Sequence, residues 1–294
     1  MRNNGLKYRC LRLKMFSHFG FLSIAMITVM LTACGNDDAF DNGERLLVLA
    51  SQTDAAQTRT TINNVWSGGE RVQISINDAD ATTFTAAWYG MLTPVDAIYW
   101  RSATQTVSAR GWHPASWVFP TNQSTGIQAA DFIFAPTVSG ITFRNANNTP
   151  LTFHHRTAKV TVNLTAGQGV GSIADATIAF YGYTVGTPDT SDAGNGVIVG
   201  SGSGWITPYN TNGDSYVALL IPRNMTDERF IRITLNSFDF FFTPASGQAN
   251  LQQGNSYTYN ITLHKDRLEV TVVGGGVTWD SGNSYTVEGG RVET

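Results

Sequence analysis

Apolar and polar residues alternate one for one in several separate segments of this chain, and that period of two constrains its fold more than any other feature. Val72, Ile74 and Ile76 alternate with Gln73 and Ser75. Val160, Val162 and Leu164 alternate with Thr161 and Asn163, and Ile231, Ile233 and Leu235 with Arg232 and Thr234. Tyr257, Tyr259, Ile261 and Leu263 alternate with Thr258, Asn260 and Thr262, and Leu268, Val270 and Val272 resume the pattern beyond a turn around Lys265-Asp266. Successive side chains of a strand face opposite ways, so each segment offers one face to a core and one to water. Many such segments separated by Gly/Asn/Asp/Ser stretches predict an all-β chain of antiparallel β-sandwiches. Leu46-Leu47-Val48-Leu49 is a compact apolar run that predicts a strand buried on both faces. Segments 185–204 and 244–256, rich in Gly, Ser and Asn, predict loops. The irregular stretch from Trp88 to Trp117 predicts strands with long loops whose places the pattern does not fix.

The first residues follow a different rule. Arg2, Lys7, Arg9, Arg12 and Lys14 precede an apolar run from Phe19 to Leu31, with no acid before Cys34. That run is shorter than the roughly 20 residues needed to span a bilayer. It ends in Leu31-Thr32-Ala33-Cys34, the pattern of a lipobox at the end of a secretory signal peptide. Residues 1–33 are therefore expected to be a lipoprotein leader, with Cys34 lipidated and the mature chain anchored to a membrane rather than spanning it. Residues 34–59 would form the tether, acidic at Asp37, Asp38 and Asp41, together with the first strand. The whole chain has 19 Lys+Arg against 22 Asp+Glu; losing the leader's five bases leaves 14 against 22, a net charge of -8. Such a charge argues against nucleic acid as a partner. Of the two cysteines Cys10 leaves with the leader, so no intrachain disulfide or thiolate metal site is expected. About 260 mature residues are enough for two cores.

Reactive constellations are not apparent. His154 and His155 are adjacent, so on a strand they point to opposite faces and cannot chelate as a pair without a bulge. His113 and His264 have no ligand-like partners at recognisable spacing. Gly200-Ser201-Gly202-Ser203-Gly204 has Gly where a nucleophile elbow needs Ser, and Gly167-Gln168-Gly169-Val170-Gly171 lacks the phosphate-loop Lys. Asp78, Asp80, Asp189 and Asp192 lie in polar stretches and read as solvated loop charges. The expectation is a non-enzyme without catalytic, metal or cofactor residues. Trp88, Trp100, Trp112 and Trp117, with Trp205 further on, read first as core residues. A sugar-binding surface built from some of these rings is the alternative.

Four segments resemble the fimbrillin family (Mfa-like, type V pilin) of Bacteroidota surface proteins. Trp66-Ser67-Gly68-Gly69-Glu70-Arg71-Val72 is similar to that family's Trp-x-x-Gly-Asp-x-Ile opening, with Glu for Asp and Val for Ile. The stretch from Leu151 to Leu164, containing Phe153, His155, Ala158, Lys159, Val160 and Val162, resembles its Leu-x-Phe-x-His-x-x-Ala-Lys-Val-x-Val-x-Leu strand. Tyr216 to Pro222 is similar to its Leu-Leu-Ile-Pro strand end, and Gly254 to Leu263 with Leu268-Glu269-Val270 and Trp279 to its closing hairpin.

The resemblance implies two tandem transthyretin-like antiparallel β-sandwich domains, residues 60–156 and 157–294. It implies a pilus subunit or adhesin without cofactors, displayed on the outer membrane through its lipid and assembled with other fimbrillin subunits. In that scheme an Arg-specific protease releases the first strand, which leaves unpaired sheet edges and an apolar slot that a neighbour's strand fills. Here Leu46, Leu47, Val48 and Leu49 would be the removable strand and Arg59 the cleavage site, with Arg45 as competitor. The donor would be Val270 to Val287, hinged at Gly274-Gly275-Gly276. Surface glycans or proteins would be the receptors. The alternative is a lipoprotein that does not polymerise and binds carbohydrate through a β-sandwich.

Overall fold

The structure is a computed structural model that describes residues 45–53, 66–275 and 282–287. The leader, Cys34, the tether to residue 44 and Arg59 lie outside the described residues, as do Gly276 and Trp279.

The chain is all-β. Its first part contributes β1 (Arg45–Leu46), β2 (Leu49–Thr53), β3 (Arg71–Ile76), β4 (Thr82–Ala86), β5 (Met91–Pro94), β6 (Tyr99–Trp100), β7 (Thr106–His113), β8 (Ile133–Thr142) and β9 (Leu151–His155). Seven of these close into a barrel in the order β2-β5-β4-β3-β7-β8-β9, while β1 pairs with β6 beside it. Inside it lie Leu47, Leu49, Trp66, Val72, Ile74, Phe84, Leu92, Val107, Ile133, Ile141, Leu151 and Phe153. Val72 and Ile74 are fully buried, as the alternation along β3 requires.

The second part contributes β10 (Ala158–Ala166), β11 (Thr177–Gly182), β12 (Val185–Pro188), β13 (Ile198–Ser201), β14 (Gly204–Ile206), β15 (Tyr209–Asn210), β16 (Ser215–Leu220), β17 (Ile231–Leu235), β18 (Phe238–Phe242), β19 (Ser256–Leu263), β20 (Leu268–Gly275) and β21 (Gly282–Val287). A six-stranded sheet, β15-β16-β10-β19-β20-β21, faces a four-stranded sheet, β14-β11-β17-β18. Val160, Val162 and Leu164 of the first sheet share one core with Ile178, Phe180, Ile231 and Ile233 of the second. Tyr257, Tyr259, Ile261, Leu268, Val270 and Val272 complete that core.

Four details depart from the sequence expectation. Leu46–Leu49 is not one strand buried on both faces: Val48 donates its N–H to Leu46 O at 3.1 Å, which breaks the run between β1 and β2. Leu47 and Leu49 are buried, whereas Leu46 and Val48 are half-buried. Segment 185–204 is not a plain loop but the β12–β13 hairpin, paired from Val185↔Ser201 to Pro188↔Ile198. Its glycines make room for rings, since a Cβ at Gly186 would meet Trp117 and one at Gly200 would meet Tyr183. The ladders β2·β9 and β10·β19 are parallel. Asp78 is also more than a solvated charge, because it forms an ion pair with Arg110 of β7.

The two cores meet along β8. Ile133 and Ala135 face the barrel, and Phe132 and Phe134 face the second core. The crossing from β7 to β8 also sends Phe119, Ile127 and Ala130 into that second core. Between β9 and β10 the buried polar residues Asp131, His155, Arg156 and Thr157 form the junction.

Candidate functional site: the first strand and its groove

Segment 45–53 forms a strap that completes the barrel. β2 lies between β5 and β9, and neither of those neighbours pairs with the other. Leu49 and Ala50 pair antiparallel with Leu92 and Met91 of β5. Ser51, Gln52 and Thr53 then pair parallel with Leu151, Thr152 and Phe153 of β9. The strap therefore changes partner halfway along, five residues serving two edges. Leu47 also donates its N–H to Ile98 O at 2.7 Å, and Ala50 donates to Ala146 O at 3.1 Å.

Side chains seal the same slot. Leu47 and Leu49, each 1% exposed, enter the barrel core. Burying one such side chain is worth about 1.5–3 kcal/mol, so the pair contributes about 3–6 kcal/mol. Trp66 donates its indole Nε1–H to Ser51 Oγ at 2.9 Å, and Ser51 Oγ–H donates to Gly90 O at 2.7 Å. The Ser51 backbone N–H reaches the same carbonyl at 2.7 Å. Trp66 packs edge-on against Phe153 at 5.2 Å. Gly90, at φ +88°, belongs to the left-handed region that glycine tolerates, and a Cβ there would strike Ser51 O. At the start of the strap the Arg45 guanidinium sits 5.4 Å from the Phe143 ring centroid.

The apolar run Leu46–Leu49 marks the start of this strap in the sequence, but nothing there marks the Trp66–Ser51–Gly90 lock. The available signal was the glycine that follows the Trp88-Tyr89 turn, whose partner lies 39 residues away and leaves no local pattern. Toward the C-terminus, β21 is an edge strand of the six-stranded sheet, paired among the described residues with β20 alone, from Val270↔Val287 to Gly275↔Gly282. Val270 and Val272 of β20 are each 1% exposed and belong to the second core.

The remaining candidates separate. His154 is half-buried and His155 buried, on opposite faces of β9, and His155 donates Nδ1–H to Asp131 Oδ1 at 2.9 Å. Among the described residues no group of three or more His, Cys, Asp or Glu is placed to hold a metal ion. The tryptophans do not form one surface. Trp100 is buried, Trp112 and Trp117 pack on the second core, Trp205 is half-buried, and Trp88 stands out at 65% exposure with Tyr89 edge-on beside it.

These elements define an all-β protein of two cores, the first completed by an N-terminal strap. A family model described as fimbrillin-like matches residues 32–279, and the chain belongs to that family. Membership supports a role as pilus subunit or adhesin and a cell-surface or fimbrial location. A candidate cell adhesion protein of Bacteroides uniformis superposes with a TM-score of 0.62 at 16% identity, covering 79% of this chain and 98% of its own. A second, from Bacteroides ovatus, gives a TM-score of 0.58 at 14% identity, with 86% and 100% coverage. At these identities the likeness shows the fold. The tip fimbrial protein Mfa3 of Porphyromonas gingivalis, with a C-terminal truncation, aligns at 11% identity and TM-score 0.47 over 79% of this chain and 99% of its own. No curated protein matches by sequence.

Proposed function

We propose that the protein is a surface-displayed fimbrillin subunit, exported as a lipoprotein acylated at Cys34 and assembled by strand exchange after cleavage at Arg59. The observation that carries this reading is the position of β2, which is the strand that joins the edges of β5 and β9. A cut after Arg59 would leave the strap tied to the body by non-covalent contacts only. Its departure would open both edges and the slot of Leu47 and Leu49, a template for an extended segment of another subunit. Head-to-tail repetition of that contact makes an open filament.

Within the C-terminal stretch Val270 to Val287, β21 is the economical donor. Withdrawing it breaks one ladder, whereas withdrawing β20 as well would empty Val270 and Val272 from the second core. In sequence Tyr285 and Val287 repeat the two-residue spacing of Leu47 and Leu49. The partners are the outer membrane through the lipid, other fimbrillin subunits, and receptors on neighbouring surfaces.

The test is treatment of the protein purified from cells with an Arg-specific protease. Mass spectrometry should report a diacylated or triacylated Cys34 before cleavage and a new N-terminus at Thr60 after it. Unboiled gels should then show a ladder of oligomers. An uncut chain, or a cut chain that stays monomeric at high concentration, overturns the reading.

A further inference from the structure

The two sheets of the second sandwich end out of step with each other. β17 and β18 form a hairpin whose turn residues, Asn236 and Ser237, both have positive φ (+50° and +66°), so Leu235 and Phe238 face each other as a hydrogen-bonded pair. In an antiparallel ladder such pairs alternate with open ones. Phe240 and Phe242 therefore bond back to β17, and the Phe230 N–H that reaches Phe242 O at 2.9 Å agrees with that phase. The backbone N–H and C=O of Asp239 and Phe241 point the other way, off the edge of the sheet. Among the described residues no strand pairs there. Nor does β18 carry the usual guards of an open edge. Its sequence, Phe238-Asp239-Phe240-Phe241-Phe242, has no Lys or Pro and a single charge, and Phe238 is 60% exposed.

The facing sheet runs one strand further. β18 packs across from β20, its Phe240 and Phe242 sharing a core with Val270 and Val272, and the Phe242 ring lies 5.7 Å from that of Tyr259 on β19. On the far side β11 packs across from β16, where Tyr216 donates its hydroxyl proton to Ala176 O at 3.0 Å, just ahead of β11. These contacts set the two strand orders against each other. They leave β21, beyond β20, with no strand of the four-stranded sheet across from it. The rim is thus a step one strand wide, about 4.8 Å. β18 edges one layer and β21 the other, and each has a row of backbone groups turned outward.

We propose that this step is a dimerisation surface for a second copy of the chain. A twofold axis between the two sheets and parallel to the strands exchanges the layers, so β21 of each copy enters the notch beside β18 of the other. Both open edges are then paired at once, an isologous contact that closes at two copies. Pairing β18 with β18 is excluded by the same step, because β21 of one copy and β20 of the other would occupy one place. The patch is small: five residues of strand are about 17 Å long and two sheets with their side chains about 20 Å thick, on the order of 350 Å² per copy. Stable complexes bury about 800 Å² per partner, so this dimer is weak, with a Kd on the order of 10–100 µM. The contact needs neither cleavage nor assembly. Its consequence for assembly rests on the strand-exchange reading: a dimerised subunit holds β21, the donor of that reading, in reserve.

The experiment is sedimentation velocity of the uncut mature chain, with Cys34→Ser to remove acylation as a cause of association. The protein should pass from monomer at about 1 µM to mostly dimer at about 500 µM. Over the same range the Asp239 and Phe241 amides should slow about fivefold in hydrogen exchange, while those of Phe240 and Phe242, already bonded to β17, stay unchanged. Asp239→Pro removes one outward N–H without touching the ladder to β17, and should weaken the dimer at least about tenfold with the urea midpoint nearly unchanged. Three results overturn the proposal: a monomer at every concentration, a dimer whose Asp239 and Phe241 amides exchange at the monomer rate, or a folded Asp239→Pro variant that dimerises as tightly as its parent. None of them bears on strand exchange, which is read from the cut chain.

Discussion

Leu49→Ala separates a strap that is part of the barrel from one that merely lies on it. Leu49 is 1% exposed and pairs with Leu92, itself fully buried. Truncation removes three carbons from the core, about 2–2.5 kcal/mol at about 0.8 kcal/mol per buried methylene. The cavity left behind raises the total to about 2–5 kcal/mol. Against a domain stability of about 5–15 kcal/mol that is a large fraction. Urea denaturation followed by tryptophan fluorescence should show a loss in this range. Native-state hydrogen exchange should show faster exchange of the Ala50 and Ser51 amides, bonded to Ala146 O and Gly90 O. The half-buried Val48 provides the internal control, and Val48→Ala should cost less than about 1 kcal/mol. A Leu49→Ala change within about 0.5 kcal/mol of wild type, or equal to that of Val48→Ala, refutes the reasoning.

Three further outcomes follow from other contacts. Gly90→Ala forces a Cβ against Ser51 O and keeps φ at +88°, so it should cost about 1–3 kcal/mol in thermal or urea melts and loosen the strap, read as altered Trp66 emission. His155→Leu removes the buried partner of Asp131 and should cost about 1–3 kcal/mol or more in urea; the double variant with Asp131→Leu should recover part of that loss. Burial, and then the charge of Tyr257, holds the Tyr259 hydroxyl well above the ordinary tyrosine range; burial and Asp214 raise Tyr216 likewise. A pKa raised by folding gives stability that is complete below the unfolded value near 10 and is lost as pH climbs past it. Urea midpoints should therefore fall above about pH 10. Tyr259→Phe should flatten that fall, while losing about 1 kcal/mol at neutral pH for the bond to Gln248 O.

The strands that alternate most regularly were legible because their environment is two-sided. Val72/Ile74, Val160/Val162, Ile231/Ile233 and Tyr257/Tyr259/Ile261 all point into a core while their neighbours meet solvent or loops. The pattern fails where both faces are covered. β8 has Ile133 and Ala135 in one core and Phe134 in the other, so Ile133-Phe134-Ala135 reads as an apolar run without a face. It fails also where glycine replaces a side chain to admit a ring, which hid the β12–β13 hairpin among apparent loop residues. Contacts made only in space leave no pattern either: Gln123 and Leu219 are 96 positions apart, yet the Gln123 side-chain amide bonds both the O and the N–H of Leu219.

The groove beneath the strap has unlike walls, and this bears on what can replace the strap. β9 is backed by β8, through His155↔Ile133 and His154↔Phe134. Arg156, the next residue, donates its N–H to Phe132 O at 2.8 Å and lies 5.5 Å from the Phe134 ring centroid. The chain then passes within three residues into β10 at the centre of the second sandwich. β5, opposite, is backed by β4 alone, through three paired positions from Phe84↔Pro94 to Ala86↔Leu92. With the strap absent β9 would keep its place, because β8, which has side chains in both cores, backs it, while β5 would be free to adjust. In the proposed exchange a replacing strand would therefore be templated by β9 in the parallel sense of Ser51–Thr53 against Leu151–Phe153, and β5 would close onto whatever is seated there. Register on the fixed wall sets which alternate side chains enter the slots of Leu47 and Leu49, since a slip of one residue would turn them all outward. Under that proposal, selectivity for the incoming strand would reside in β9, and tolerance for its bulk in β5.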